Sequence, residues 1–139
     1  MYMLDTNICI YLINNRSPGL AKKIAEVESE HIYISTITQA ELEYGVSKSK
    51  NPGKNALALA KFLSVVSVMD FDTKAAQAFG EIRADLEQKG KIIGLMDMLI
   101  AGHAKSKGFV IITNNIREFE RVEGLNLENW TNYRRSDLN

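Results

Sequence analysis

Cysteine, histidine and proline are scarce in this sequence of 139 residues, and long hydrophobic runs are absent. Because Cys9 is the single cysteine, an internal disulfide is impossible, and the two histidines, His31 and His103, argue against a zinc site of Cys and His ligands. No apolar run approaches the roughly 18 residues that a membrane-spanning helix needs, and no basic segment with an apolar core opens the chain. We therefore expect a cytoplasmic protein that is neither exported nor embedded in a membrane.

An excess of charge of either sign is also absent, since 17 Lys and Arg residues balance 17 Asp and Glu residues. The field of the whole molecule does not steer it toward nucleic acid, so any RNA binding must depend on a local patch. No glycine-rich phosphate loop follows the first apolar run, which argues against a nucleotide-binding module. The length predicts one domain over residues 1–139, with residues 131–139 as a loosely held tail.

Short runs of β-branched and aromatic residues alternate with longer segments of helical periodicity. Helices are predicted to begin after Ser17 and Asp72 and near Asp97, and residues 51–53 predict a turn between two helices. This alternation predicts an α/β fold in which helices flank a central, mainly parallel sheet of four to five short strands. Four of these strands are predicted at residues 2–4, 32–34, 65–69 and 109–112.

Acidic residues stand where the chain leaves the predicted sheet. Asp5 follows the first strand, Glu41 lies in the helix after the second strand, and Asp97 precedes an apolar helical segment. Asp5 and Glu41 also fit helix-capping patterns, so capping is the simpler interpretation of each residue taken alone. Independent caps need not converge, however, whereas the carboxyl ends of parallel strands do converge. The set of acids therefore favours one acidic site.

Gathered carboxylates repel one another and raise each other's pKa unless a cation neutralises them. Oxygen ligands alone favour a hard cation, so the sequence predicts Mg²⁺, or Mn²⁺ in its place, rather than Zn²⁺. Such a site suits phosphate chemistry, in which the metal activates water and stabilises the developing charge. Further polar and acidic side chains follow the fourth strand at residues 113–120, where a solvated loop is the simpler alternative.

Four motifs, in this order and spacing, resemble the PIN-domain ribonucleases and, within them, the VapC toxins of type II toxin–antitoxin pairs. The resemblance covers essentially the whole chain. The motifs are Met-Leu-Asp5-Thr6-Asn7-Ile, Thr38-Gln-Ala-Glu41-Leu-Glu-Tyr-Gly45, Ile93-Gly-Leu-Met-Asp97-Met-Leu-Ile-Ala-Gly-His-Ala and Thr113-Asn-Asn115-Ile-Arg-Glu118-Phe.

The resemblance also implies roles for the acids of these motifs. Asp5 and Asp97 become direct metal ligands, and Glu41 and Glu118 become further catalytic acids. Many PIN domains carry aspartate at the position that looks like Asn115, so the fourth carboxylate is Glu118 or, through a water, Glu120. The candidates for orienting the ligands are Thr6, Ser35, Thr113 and Asn115.

The same resemblance implies a magnesium-dependent endoribonuclease, in which metal-activated water attacks a phosphodiester of RNA. The substrate is tRNA in several members of the family, and the cleavage inhibits translation and growth. The family implies a homodimer and a cognate VapB-type antitoxin, through which any contact with DNA would be made. The apolar segments at residues 8–13 and 56–62 are candidates for the antitoxin surface, or else belong to the core. The alternatives are a catalytically silent PIN-like module that binds RNA or antitoxin, and a DNA-directed or flap-type nuclease.

Basic residues near the third and fourth motifs are candidates for binding RNA phosphates. Arg117 is the first of these, followed by Arg121 and Lys105, although a solvated surface is the simpler interpretation of each. Aromatic side chains stack on the bases of single-stranded RNA, which makes Tyr44 and Phe119 candidates unless they belong to the core.

Overall fold

Five short strands form the central sheet of the computed structural model, which describes residues 1–131. They are β1 (Tyr2–Leu4), β2 (Ile32–Ser35), β3 (Ser67–Met69), β4 (Val110–Ile112) and β5 (Asn126–Glu128). Their order across the sheet is β3-β2-β1-β4-β5, and each of these pairings is parallel. The chain builds outward from β1 on one side and then crosses to β4 on the other side. In open α/β sheets, ligands bind at the carboxyl edge beside such a change of direction.

Helices connect these strands and cover both faces of the sheet. Their packing is tightest between the two long helices that precede β4, while the first four helices cover the opposite face. The helices of the described residues are α1 (Thr6–Ile13), α2 (Pro18–Glu26), α3 (Thr36–Lys48), α4 (Pro52–Leu63), α5 (Thr73–Gln88), α6 (Leu95–Lys107) and α7 (Ile116–Phe119).

Side-chain caps fix where most of these helices begin. Asp5, Ser17, Ser35, Asn51 and Asp72 each accept a hydrogen bond from a backbone amide in the first turn of the following helix. Asp5 and Ser35 stand at the carboxyl ends of β1 and β2 as well. The same polar residues therefore end a strand, begin a helix and lie at the edge where a ligand is expected.

The core is divided between the two faces of the sheet. Met3 and Ile111 pack with residues of α5, α6 and α7 on one face. Their neighbours Leu4 and Ile112 pack with residues of α1 to α4 on the other face. Because adjacent residues of a strand point to opposite faces, a sheet covered on both sides needs continuous apolar strands, as found in β1 and β4.

The predicted α/β fold with a parallel sheet between helices is confirmed, and all four predicted strands are present. β3 is shorter than predicted, because Val65 and Val66 belong to the turn after α4. The turn predicted at residues 51–53 is also shorter, since Pro52 already begins α4. α6 begins at Leu95, which places Asp97 in its first turn rather than at its start.

Within residues 1–131, no helix has both the length and the hydropathy needed to cross a lipid bilayer. The tail predicted at residues 131–139 lies outside the described residues, apart from Thr131.

Candidate active site

Asp5 lies at the centre of the carboxyl edge of the sheet and is only 3% exposed. Its backbone amide donates to the Ile112 carbonyl at 3.1 Å, and its carboxylate Oδ1 accepts from the Ile8 amide at 2.9 Å. Burial raises the pKa of the Asp5 carboxyl, although hydrogen bonding from Thr113 and Ile8 opposes the rise. The capping role is therefore real, yet a cap needs no such burial.

Glu41 reaches the same edge from the second turn of α3. Its Oε1 accepts a short hydrogen bond of 2.6 Å from the hydroxyl of Thr6. Thr6 is the first residue of α1 and directly follows Asp5. The Thr6 hydroxyl also lies 3.5 Å from that of Thr38, a buried residue of α3. Thr6 thus ties α1 to α3 and holds one oxygen of Glu41 through this hydrogen bond.

Asp97 lies in the first turn of α6, partly buried and close to the other acids. Burial first, and then the negative charges of Asp5, Glu118 and Glu41, raise the pKa of Asp97 to about 6. The negative charges of Asp5, at the start of α1, of Glu41 on α3 and of Glu118 on α7 therefore all act on Asp97 at the carboxyl edge of the sheet. The structure brings together the four acids that the sequence motifs singled out.

The acids are nevertheless not drawn into one compact set of ligands. Among residues 1–131, three potential ligand atoms lie within 4.8 Å of one another only in Glu28, Glu30 and His31, which lie at the surface beside β2. The donors at the sheet edge are carboxylate and hydroxyl oxygens, a set that fits a hard divalent cation.

Thr113 and Asn115 form the turn that follows β4. The Thr113 hydroxyl accepts from the Asn115 amide at 2.8 Å, and the Thr113 side chain also hydrogen-bonds Asp5. Asn115 precedes α7, which carries Glu118 toward Asp97. Glu120 is exposed in a separate cavity with Arg117 and Arg121. Of the two candidates for the fourth carboxylate, Glu118 is the one whose charge acts on Asp97.

Ser35 differs from the other predicted orienting residues, because its hydroxyl contacts a histidine ring and the first turn of α3. Its hydroxyl accepts from the Ile37 amide at 3.0 Å and lies 2.8 Å from Nδ1 of the fully buried His103. Burial lowers the pKa of His103, which favours the neutral ring. The sequence did not indicate this pair, since Ser35 and His103 are distant in the chain and only His103 belongs to one of the four motifs.

The basic and aromatic residues predicted to bind RNA lie in different parts of the structure. Arg117 and Arg121 line one cavity, whereas Lys105 lines another, with acidic residues of α5. Phe119 is fully buried, so it cannot stack on an RNA base, and its alternative place in the core is correct. Tyr44 is 65% exposed and lies one turn after Glu41 on α3, with Nζ of Lys48 over its ring at 4.9 Å from the ring centre.

Comparison with known proteins agrees with this geometry. A family model described as "PIN domain" matches residues 2–125. The chain is 45% identical to the tRNA(fMet)-specific endonuclease VapC of Shigella flexneri over 130 residues, which covers 94% of this chain and 98% of that protein.

Two solved complexes are similar in structure as well. VapBC2 from Rickettsia felis, bound to a DNA fragment from its promoter, matches with a TM-score of 0.88 and 46% identity over 93% of this chain and 98% of the other. DNA-bound VapBC from Salmonella typhimurium matches with a TM-score of 0.89 and 44% identity over 93% and 97%. The chain therefore belongs to the PIN-domain family and, within it, to the VapC ribonucleases. PIN-domain nucleases are metal-dependent, which agrees with the cluster of acids.

Proposed function

We propose that this chain is a magnesium-dependent endoribonuclease that acts in the cytoplasm as the toxin of a type II toxin–antitoxin pair. The observation that carries the proposal is the set of four acids at the switch point of the sheet, in which three carboxylates raise the pKa of Asp97 together with burial. A divalent cation would relieve this repulsion. The tRNA specificity in the name of the Shigella relative makes tRNA the first substrate to test.

The residues divide the work according to their positions. Asp5 and Asp97 would hold the cation, and Glu41 and Glu118 would accept hydrogen bonds from the attacking water and so orient it. When bound, the cation supplies Lewis-acid polarisation of the phosphodiester and lowers the pKa of the water. Thr6 keeps Glu41 in place through its hydrogen bond of 2.6 Å.

Cleavage of total tRNA by antitoxin-free protein tests the proposal. Reactions contain Mg²⁺, Mn²⁺ or EDTA, and the Asp5→Asn and Asp85→Asn variants are run in parallel. Asparagine caps helices as well as aspartate does, so Asp5→Asn is expected to fold and to lose cleavage. Asp85 makes an exposed ion pair with Lys89 on α5, so its variant is expected to cleave as wild type does.

Discrete fragments that depend on Mg²⁺ and on Asp5 support a metal-dependent nuclease. If Asp5→Asn cuts as fast as Asp85→Asn, the assignment of Asp5 as a metal ligand is wrong. Folded, metal-bound wild type that binds tRNA without cutting any RNA would instead favour the catalytically silent module. Cleavage of single-stranded DNA at an equal rate would favour the DNA-directed alternative.

The second part of the proposal is inhibition by a VapB-type antitoxin, since the Rickettsia and Salmonella relatives were solved as VapBC complexes. A groove of about 430 Å³ between α1, α3 and α4 has room for an antitoxin segment and includes Glu41 in its lining. Its apolar lining comes from both candidate segments, through Ile10 and Ile13 of α1 and Ala58 of α4. An occupant there would lie against the acidic site.

A matched pair of glycines tests this groove. Gly45 lines the groove and Gly80 is an exposed residue of α5, and a Cβ added at either position meets nothing within 4 Å. Gly45→Leu is expected to fill the groove and prevent capture of the co-expressed antitoxin, while Gly80→Leu leaves capture intact. Equal capture by both variants would place the antitoxin elsewhere. The size of the free protein in solution tests the homodimer separately.

A further inference from the structure

Beside the acidic site lies a cavity of about 330 Å³ with mostly cationic walls. It is formed where the loop between α5 and α6 meets the end of α7. The lining residues are Gly90, Lys91, Arg117, Glu120 and Arg121. Three cations face one carboxylate here, in a chain whose net charge is zero.

These cations are available to a ligand. Within residues 1–131, Lys91, Arg117 and Arg121 form no ion pair, whereas Lys89 of the same loop region binds Asp85 and Glu123. All three cations are exposed, so the cavity does not incur the cost of burying an unpaired charge. Unpaired cations around one cavity favour an anion.

Arg121 also shapes the cavity. Its Nη1 donates a hydrogen bond of 3.2 Å to the Ile92 carbonyl, which joins the end of α7 to the loop before α6. This contact holds the loop that carries Lys91 against the segment that carries Arg117. Arg121 is therefore a positioning residue, whereas the side-chain donors of Lys91 and Arg117 bind no other group within residues 1–131 and are available to a ligand.

Two covalent connections place the cavity next to the acids. Arg117 precedes Glu118, whose charge acts on Asp97. The loop that carries Lys91 continues to Gly94, where a Cβ would lie 3.5 Å from Oδ2 of Asp97. An RNA strand whose reacting phosphate lies at the acids would therefore carry a neighbouring phosphate toward the cations.

We propose that this cavity binds a backbone phosphate of the RNA beside the phosphodiester that is cut, through Lys91 and Arg117 in the pocket that Arg121 holds together. The inference rests on the proposed ribonuclease function and adds a substrate-binding subsite to it. Glu120, the one acid of the cavity, opposes the phosphate and weakens binding.

Anisotropy of a labelled single-stranded RNA tests the subsite. Binding is measured in EDTA, where no cutting occurs, at several salt concentrations. The Lys91→Ala/Arg117→Ala variant is compared with Lys22→Ala/Lys61→Ala, which removes the same charge from exposed positions on α2 and α4. Mn²⁺ affinity of each variant reports on the acidic site independently.

Loss of one phosphate contact is expected to raise the Kd for RNA about tenfold and to reduce the salt slope by roughly 0.7, with Mn²⁺ affinity unchanged. Glu120→Gln is expected to lower the Kd, an effect that misfolding cannot imitate. The control is expected to change the Kd less than twofold.

The outcomes distinguish a failure of the proposed phosphate subsite from a failure of the proposed nuclease activity. If the Lys91/Arg117 variant matches the control in Kd and salt slope while wild type cuts RNA, the subsite is wrong and the nuclease stands. If the variant loses RNA affinity but wild type never cuts, the subsite stands and the nuclease proposal fails. Loss of antitoxin capture with unchanged RNA affinity would assign the cavity to a protein partner and overturn the inference.

Discussion

Replacing Asp97 by asparagine conserves volume and removes one charge from the acidic site. In the metal-free protein, burial and the neighbouring carboxylates raise the pKa of Asp97 from 3.8 to about 6. The folded state therefore keeps the Asp97 proton over a pH range in which the unfolded state has lost it. By linkage, the free energy of unfolding falls as the pH rises from about 4 through about 6, and it stays lower above that range.

A shift of about two pKa units corresponds to at most about 3 kcal/mol, and partial exposure to solvent reduces this to about 1–2 kcal/mol. Metal-free Asp97→Asn is therefore expected to be more stable than wild type by about 1–2 kcal/mol at pH 8 and about equal at pH 4. Urea unfolding in EDTA at both pH values measures the difference.

Adding Mg²⁺ should reverse the order of stability. A ligand that binds only the folded state stabilises it in proportion to the logarithm of its concentration over its Kd. Wild type is expected to gain stability with Mg²⁺, whereas Asp97→Asn gains much less. A variant that is less stable than wild type in EDTA at pH 8, or that gains equally from Mg²⁺, would refute the reasoning and leave Asp97 as a structural residue.

Further substitutions test the packing and the chemistry separately. Gly102→Ala places a Cβ 2.7 Å from a backbone nitrogen of α5, so we expect a loss of about 1–3 kcal/mol in urea unfolding. Gly80→Ala meets nothing and should gain up to about 1 kcal/mol. Thr6→Val frees Glu41 and is expected to lower the cleavage rate about tenfold, with recovery in Thr6→Ser. Cys9→Ser should leave the rate per folded molecule unchanged, and inactivation of native wild type by a thiol reagent would contradict this.

The strands and the meeting of the acids were predictable because both depend on local patterns and on one topological rule. Short apolar runs with β-branched or aromatic residues identified β1 to β4, and parallel strand ends converge. β5 carries no such pattern, since two of its three residues are polar. Its place depends on backbone pairing with β4, including the 3.1 Å bond from the Thr113 amide to the Glu128 carbonyl.

Side-chain partners that are distant in the sequence were not predictable in this way. Lys105 directly follows the third motif in the sequence, yet it lines a different cavity from Arg117. Lys91, which does share the cavity with Arg117, reaches it because the loop before α6 packs on the end of α7. The contact between His103 and Ser35 likewise depends on tertiary packing, which brings α6 against the end of β2.

Although the net charge of the chain is zero, acidic and basic side chains cluster at different places on its surface. Acids gather at the switch point, and cations that form no ion pair within residues 1–131 lie beside them, on the loop before α6 and on and after α7. RNA is a polyanion, so the acids alone would repel it, while the cations alone would bind it without cutting. Because two of the acids, Asp97 and Glu118, follow these cations closely in the chain, a change in how the loop packs on α7 should affect substrate binding and metal binding together.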